Sequence, residues 1–300
     1  LRASVVNFLK HSYQPAGSAT TSNAFRARYE IGERLAQGGM GAVWLASDVD
    51  LDRQVAMKTL LPQHRPSPVF VSKFVEEART IGQLEHPNIV PIYDVGMQVT
   101  GELYFTMKLV RGRTLEDLIE GLAQGDEALH ATYTWARRVA IIQQIADALS
   151  YAHQRQIIHR DLKPANIMIG EFGEVQVMDW GIAKRLSEAE QALPTKAPGA
   201  EPGAKATTAP ATAGASQLKL SVITPHHTRA GSLVGTVYYM SPEQASGQSE
   251  SLTPASDIYA LGAVAYELLG LRRPHDGATA YAVLHSVLTE EPVGLHLLKL

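Results

Sequence analysis

The stretch His159-Arg160-Asp161-Leu162-Lys163-Pro164-Ala165-Asn166, followed thirteen residues after its Asn by Asp179-Trp180-Gly181, decides how this chain is read. Moving the terminal phosphoryl group of a nucleoside triphosphate needs a carboxylate that orients the attacking hydroxyl and accepts its proton. It also needs oxygen ligands that hold a divalent cation on the phosphates. Asp161 meets the first need, and Asn166 and Asp179 meet the second. Hard oxygen donors of this kind suit Mg2+, with Mn2+ as the substitute.

Two stretches upstream fit the same chemistry. Leu35-Ala36-Gln37-Gly38-Gly39-Met40-Gly41-Ala42-Val43 is a glycine cluster, and missing side chains let backbone N–H groups approach phosphate oxygens. Twenty residues after Gly38 comes Lys58, in Val55-Ala56-Met57-Lys58. A lysine among apolar neighbours on a strand needs a counter-charge, because an unpaired buried ammonium is costly. Glu76 and Glu77, on a helical stretch expected over Val69–Leu84, are both within reach of that role, about 100° of helical rotation apart. Taken in order, these motifs resemble the catalytic domain of the bacterial eukaryotic-type (Hanks-type) serine/threonine protein kinases. Matches run from about Tyr29 to Glu291.

The resemblance implies an α+β, bilobal kinase-like fold: a small β-rich lobe over residues 29–107 with one main helix, a hinge at 108–112, and a larger helical lobe over 113–300 that lacks its last helices. ATP is expected between the lobes. Leu35, Ala36, Gly38, Gly39, Gly41 and Val43 would cover it, and Ala56, Met107, Lys108, Val110 and Met168 would line the base site, with Met107 guarding the pocket behind. Lys58 would contact the α and β phosphates. Glu77 is chosen as its partner because Glu77-Ala78 and His86-Pro87-Asn88-Ile89-Val90 match the family pattern. Lys163 would stabilise the transferring phosphoryl group and Thr236 would bond the catalytic Asp and Lys, both features of the Ser/Thr branch.

Departures from the pattern are few. Ala36 stands where the first glycine is usual and resists positive φ, which stiffens the loop. Trp180 replaces Phe; its indole fits a slot against His159 and Ile81, and its N–H needs a partner. Arg160 belongs to the class in which this Arg meets a phosphorylated activation loop. Thr228 and Ser232, then Thr224, are the expected phosphorylation sites. Asp257 resembles the buried helix Asp that fastens the catalytic loop. Glu243 normally pairs with an Arg on a late helix of the large lobe, and no residue of this sequence is matched to that Arg.

Composition sets bounds. With 45% hydrophobic and 19% charged residues among 300, the chain can bury a full core. A net charge of -3 gives no field favouring nucleic acid. The absence of cysteine removes disulfides and thiolate chemistry, and fits a reducing, cytoplasmic setting. No segment is apolar enough to span a bilayer; Tyr259–Leu271, interrupted by Glu267, reads as a buried helix. A membrane anchor beyond Leu300 stays open. Residues 1–28 read as a flexible tail with a short helix near Val5–Lys10. Residues 192–217 hold nine Ala, four Pro, four Thr and three Gly. That composition offers too little apolar surface to offset chain entropy, so a disordered insert over about 187–230 is expected. His226-His227 reads as solvated loop, His153 as a hydrogen-bonded core residue, and Trp44 and Trp135 as packing residues. The expected substrates are proteins with Ser/Thr acceptors, the chain itself included, and a homodimer is compatible with the family. The alternatives are a nucleotide-binding pseudokinase or scaffold, supported by Ala36, Trp180 and the missing helices, and a small-molecule kinase. The segment Gly235-Thr236 to Ser241-Pro242-Glu243, a peptide-docking platform, argues against the latter.

Overall fold

The computed structural model describes residues 28–98, 100–180, 184–185, 237–248 and 252–297. Strands β1 (Tyr29–Gln37), β2 (Gly41–Asp48) and β3 (Arg53–Leu60) run as an antiparallel meander; β4 (Ile92–Met97) and β5 (Leu103–Lys108) complete a five-stranded sheet of order β1-β2-β3-β5-β4. Between β3 and β4 lies helix α1 (Pro68–Ile81), started by Pro68 in the first turn, where a missing N–H costs nothing. Its buried residues Phe74, Val75, Glu77, Ala78 and Ile81 form one stripe, and Glu77 is the only charge in it.

Helix α1 stops three residues before the expected Leu84. Residues 82–84 turn instead, with Gly82 N–H donating to Ala78 O and Leu84 N–H to Ile81 O. Glycine has poor helix propensity, and His86 precedes a proline, which disfavours helical backbone there.

A short strand, β6 (Gly112–Thr114), leads into helices α2 (Leu115–Ala123), α3 (Glu127–Thr132) and α4 (Trp135–Gln154). Thr114 and Asp117 form a capping box at the start of α2. Then come β7 (Ile157–Ile158), a 3-10 turn (Pro164–Asn166), β8 (Ile167–Gly170), β9 (Val175–Val177) and β10 (Lys184–Arg185). Strands β6, β8 and β9 make a three-stranded sheet, and β10 pairs with β7. Helices α5 (Pro242–Ala245), α6 (Pro254–Gly270) and α7 (Ala280–Thr289) follow. Helix α6 starts ahead of the expected Tyr259 and ends at Gly270, with Leu271 in the left-handed region at φ 51°.

The main core gathers Leu115, Leu118 and Leu122 of α2, Ile141, Ile145 and Leu149 of α4, and Leu261, Val264 and Leu268 of α6. Ile81 at the end of α1 joins the same cluster, so apolar contact ties the main helix of the small lobe to the large one. One packing expectation fails: Trp135 is 51% exposed, because it occupies the first position of α4, where the helix has not yet met its neighbours. Trp44 is half-buried and its indole donates to Thr59 Oγ1 at 3.1 Å. The expected tail helix near Val5–Lys10, the insert at 187–230, and Thr224, Thr228 and Ser232 lie outside the described residues.

Candidate active site

Strand register assembles the upper wall. In an antiparallel ladder, residues directly opposite each other share a face. Val43 faces Lys58, Lys58 faces Phe105, and Ala56 faces both Leu45 and Met107. Val43, Ala56, Lys58 and Met107, far apart in sequence, therefore lie on one side of the sheet. Ala36 is extended strand opposite Val43, so its position makes no demand for positive φ. Gly41 has a different reason to be glycine: a Cβ there would lie 2.7 Å from Thr59 O. Leu35 is exposed at the outer edge of the sheet.

Helix α1 brings Glu77 to Lys58, and the two form an ion pair, while Lys58 Nζ also lies 3.5 Å from Asp179 Oδ1. Glu76 is exposed and takes no part. Burial acts to lower the pKa of Lys58, but the Glu77 and Asp179 carboxylates outweigh it and hold the ammonium above the usual lysine range. In return Lys58 pulls the Asp179 carboxyl below its ordinary value.

The lower wall is the loop from His159 to Asn166. Its backbone hangs on Asp257, which is 1% exposed and accepts from His159 N–H and Arg160 N–H, both at 2.8 Å. His153 Nε2 lies 2.7 Å from the same carboxylate. Arg160 takes φ 72°, a left-handed conformation unusual for a side-chain-bearing residue. Its carbonyl accepts from Gln244 Nε2 at 2.9 Å, so α5 holds the strained residue from the other side. Asp179 is likewise left-handed, at φ 59°. Such strain persists only where surrounding contacts fix it, and it concentrates at functional sites.

Within that frame Lys163 Nζ donates to Asp161 Oδ2 at 2.8 Å. Asn166 Nδ2 donates to Asp161 O at 2.8 Å and to Asp161 Oδ2 at 3.3 Å. The Asn166 amide nitrogen is thus engaged twice, while its Oδ1 accepts no hydrogen bond among the described residues. Met178 N–H donates to Asn166 O at 2.9 Å, which sets the segment carrying Asp179 against the loop. An uncommitted amide oxygen and a half-exposed carboxylate, that of Asp179 at 48%, form a donor set that fits a hard divalent cation.

Trp180 is 1% exposed and its ring packs against His159 with centroids 4.6 Å apart. Its indole N–H points to Val177 O at 3.4 Å, a long contact. His159 Nε2 lies 3.0 Å from Met178 O while its Nδ1 accepts from Asp161 N–H, so Nε2 carries the proton. Met107 and Lys108 close β5, and Lys108 Nζ lies 3.7 Å from Glu174 Oε1 across the hinge. Val110 and Met168 are half-buried, Met168 opposite Thr114 and Gln176. Thr236 and Gly181 lie outside the described residues. Glu243, with no Arg matched to it in the sequence, accepts from Ser256 Oγ at 2.5 Å. The late Arg273 instead sits 3.3 Å from Glu267, which also accepts from Tyr239. Sequence reasoning missed Gln244 and Ser256; the Ser-Pro at 241–242 marked a helix start but gave no sign of what that helix would hold.

A five-stranded lobe above a helical lobe, with these groups gathered between them, defines the bilobal protein-kinase architecture. The chain belongs to the protein kinase domain family, which matches residues 29–206. It is 36% identical to the serine/threonine-protein kinase PknB of Mycolicibacterium smegmatis over 277 residues, covering 91% of this chain and 37% of that protein. It is 38% identical to the serine/threonine-protein kinase PrkC of Bacillus subtilis over 258 residues, covering 85% of this chain and 32% of that protein. The chain therefore spans about a third of the length of the relatives it matches. Among the described residues no helix is long and apolar enough to cross a membrane.

Proposed function

We propose that this domain transfers the γ-phosphoryl group of ATP to serine and threonine hydroxyls of proteins, including its own activation segment. One observation carries the reading. Asp161 Oδ1 is buried and has no hydrogen-bond partner among the described residues, while Oδ2 is committed to Lys163 and Asn166. A buried carboxylate oxygen left unpaired costs free energy unless something else fills the position. A substrate hydroxyl, donating its proton to Oδ1, is such a group.

The other side chains supply positioning and charge. Lys58, fixed by Glu77, presents an ammonium to the α and β phosphates, under the glycine-rich loop. Lys163 offsets charge on the phosphoryl group in flight, and Asp161 orients the hydroxyl and takes its proton. Asn166 Oδ1 and Asp179 would hold Mg2+, or Mn2+ in its place, and the ion would supply positive charge against the phosphates. Protein substrates, autophosphorylation at Thr228 or Ser232, and a contact between that phosphate and Arg160 complete the proposal.

Incubation with γ-labelled ATP and Mg2+, wild type beside Asp161→Asn, tests it. Label is expected on Ser or Thr within 221–236 of the wild type, with a loss of about 100-fold or more in the variant, in line with general-base contributions. Equal labelling of the two proteins would remove Asp161 from its role.

A further inference from the structure

The link from β3, which carries Lys58, to α1, which carries Glu77, passes through a 3-10 turn at Pro62–His64. It touches the tip of the glycine-rich loop at two points. Leu61 N–H donates to Met40 O at 3.1 Å, and His64 Nε2 lies 2.9 Å from Gly39 O. A carbonyl only accepts, so His64 Nε2 carries the hydrogen in this contact. The same imidazole stacks on Phe70 of α1, with ring centroids 3.9 Å apart and planes 28° from parallel. Phe70 and Met40 both pack against the small-lobe core cluster of Leu60, Phe74, Val75, Ala78, Leu103 and Phe105. The turn is anchored from behind by an ion pair between Arg65 and Glu102.

One half-buried side chain thus spans two parts that must arrive together. Holding Gly39 O fixes the plane of the Gly39–Met40 peptide, and because that unit is planar and trans, it also fixes the direction of Met40 N–H. Backbone donors of a glycine-rich loop bind phosphate only when aimed in advance. The stacked ring on Phe70 carries the constraint into the first turn of α1, two helical turns before Glu77.

We propose that His64 is a positioning residue that couples closure of the glycine-rich loop over the nucleotide to the seating of Glu77 on Lys58. The inference rests on the kinase reading above. Its test measures KM for ATP, kcat and melting temperature in wild type, His64→Ala, His64→Gln, His64→Phe and Phe70→Leu. Gln places an amide N–H at a reach similar to Nε2, whereas Phe keeps the stack and loses the donor. His64→Ala is expected to raise KM for ATP about 10-fold, the equivalent of one net hydrogen bond, with kcat changed far less. His64→Gln should recover most of that loss, His64→Phe should stay near the Ala value, and Phe70→Leu should raise KM by about 2- to 3-fold. Melting temperatures within a few degrees of wild type would separate positioning from folding. Equal KM in wild type, Ala and Phe, or a loss in Gln as deep as in Ala, would overturn the role of His64. A Phe70→Leu value equal to wild type would overturn the link to α1. A wild type that neither binds nor turns over Mg-ATP would instead sink the kinase reading itself.

Discussion

Glu77 in the small lobe and Asp257 in the large one are both carboxylates sealed from water, at 3% and 1% exposure, yet they are satisfied in opposite ways. Asp257 is held by two backbone N–H groups and His153, all within 2.8 Å. Glu77 meets one ammonium through Oε1, and its Oε2 has no partner among the described residues. Its ammonium is shared, since Lys58 also lies 3.5 Å from Asp179. A buried acid saturated by main chain is a fixture, because moving it orphans several donors at once. A buried acid with one shared partner is a joint that can open and close again. The difference fits a lower wall that holds geometry and an upper wall whose one buried acid rests on a shared ammonium.

The largest expected effect tests the fixture. Asp257→Ala leaves His159 N–H and Arg160 N–H unpaired and releases the backbone that keeps Arg160 at φ 72°. With about 1.5–3 kcal/mol for each hydrogen bond to a charged group, a loss of at least about 3 kcal/mol is expected in urea unfolding. Activity should fall as well, since Asp161 sits on the released loop. A variant that unfolds at the wild-type urea concentration would show that Asp257 does not carry the loop.

The joint should respond in the reverse proportion. Glu77→Gln keeps the shape and an acceptor but removes the charge, and Asp179 remains beside Lys58 to take up the ammonium. Stability is expected to drop by only about 1–2 kcal/mol, while kcat/KM for ATP falls by at least about 10-fold because Lys58 is no longer held in one place. Stability losses of equal size in Glu77→Gln and Asp257→Ala would erase the distinction between joint and fixture.

Much of this was legible in the sequence, for identifiable reasons. Helix α1 begins one residue before the expected Val69, and α6 takes in the expected buried run from Tyr259 as far as Gly270, because apolar residues recurring at helical spacing set both. Glu77 was also legible in principle without any resemblance: Phe74, Val75, Ala78 and Ile81 define the buried stripe of α1, and Glu77 falls inside it while Glu76 falls outside. What could not be read was side-chain to main-chain bonding across long separations. Gln244 reaching Arg160 O and Ser256 meeting Glu243 depend on where the lobes place two short segments, and no local pattern encodes that. Ala36 shows a related limit. The expectation of a stiffened loop followed from the residue type, but the position is extended strand opposite Val43, where alanine carries no conformational penalty.

A third buried polar group sharpens the contrast through pH. His275 is 5% exposed, its Nδ1 lies 3.0 Å from Ser286 Oγ, and Ser286 Oγ donates to Glu290 at 2.7 Å. With the Ser286 hydrogen committed to Glu290, Nδ1 receives none from that hydroxyl. Burial lowers the pKa of His275, and the Glu290 carboxylate only partly opposes it. A histidine depressed in the folded state contributes stability that is complete above its unfolded value, about 6.5, and is lost as pH falls from there through the folded value. The unfolded chain binds the proton first, so the slope is positive in that window and cannot exceed about 1.4 kcal/mol per pH unit for one group. Comparing wild type with His275→Gln in urea at pH 7.5 and 5.5 isolates the effect, since the other titrating groups are common to both. The wild type should lose more stability on acidification than the variant. Parallel losses would mean that this histidine is accommodated in either charge state, and that the large lobe tolerates a mobile proton where Asp257 tolerates no change of partner.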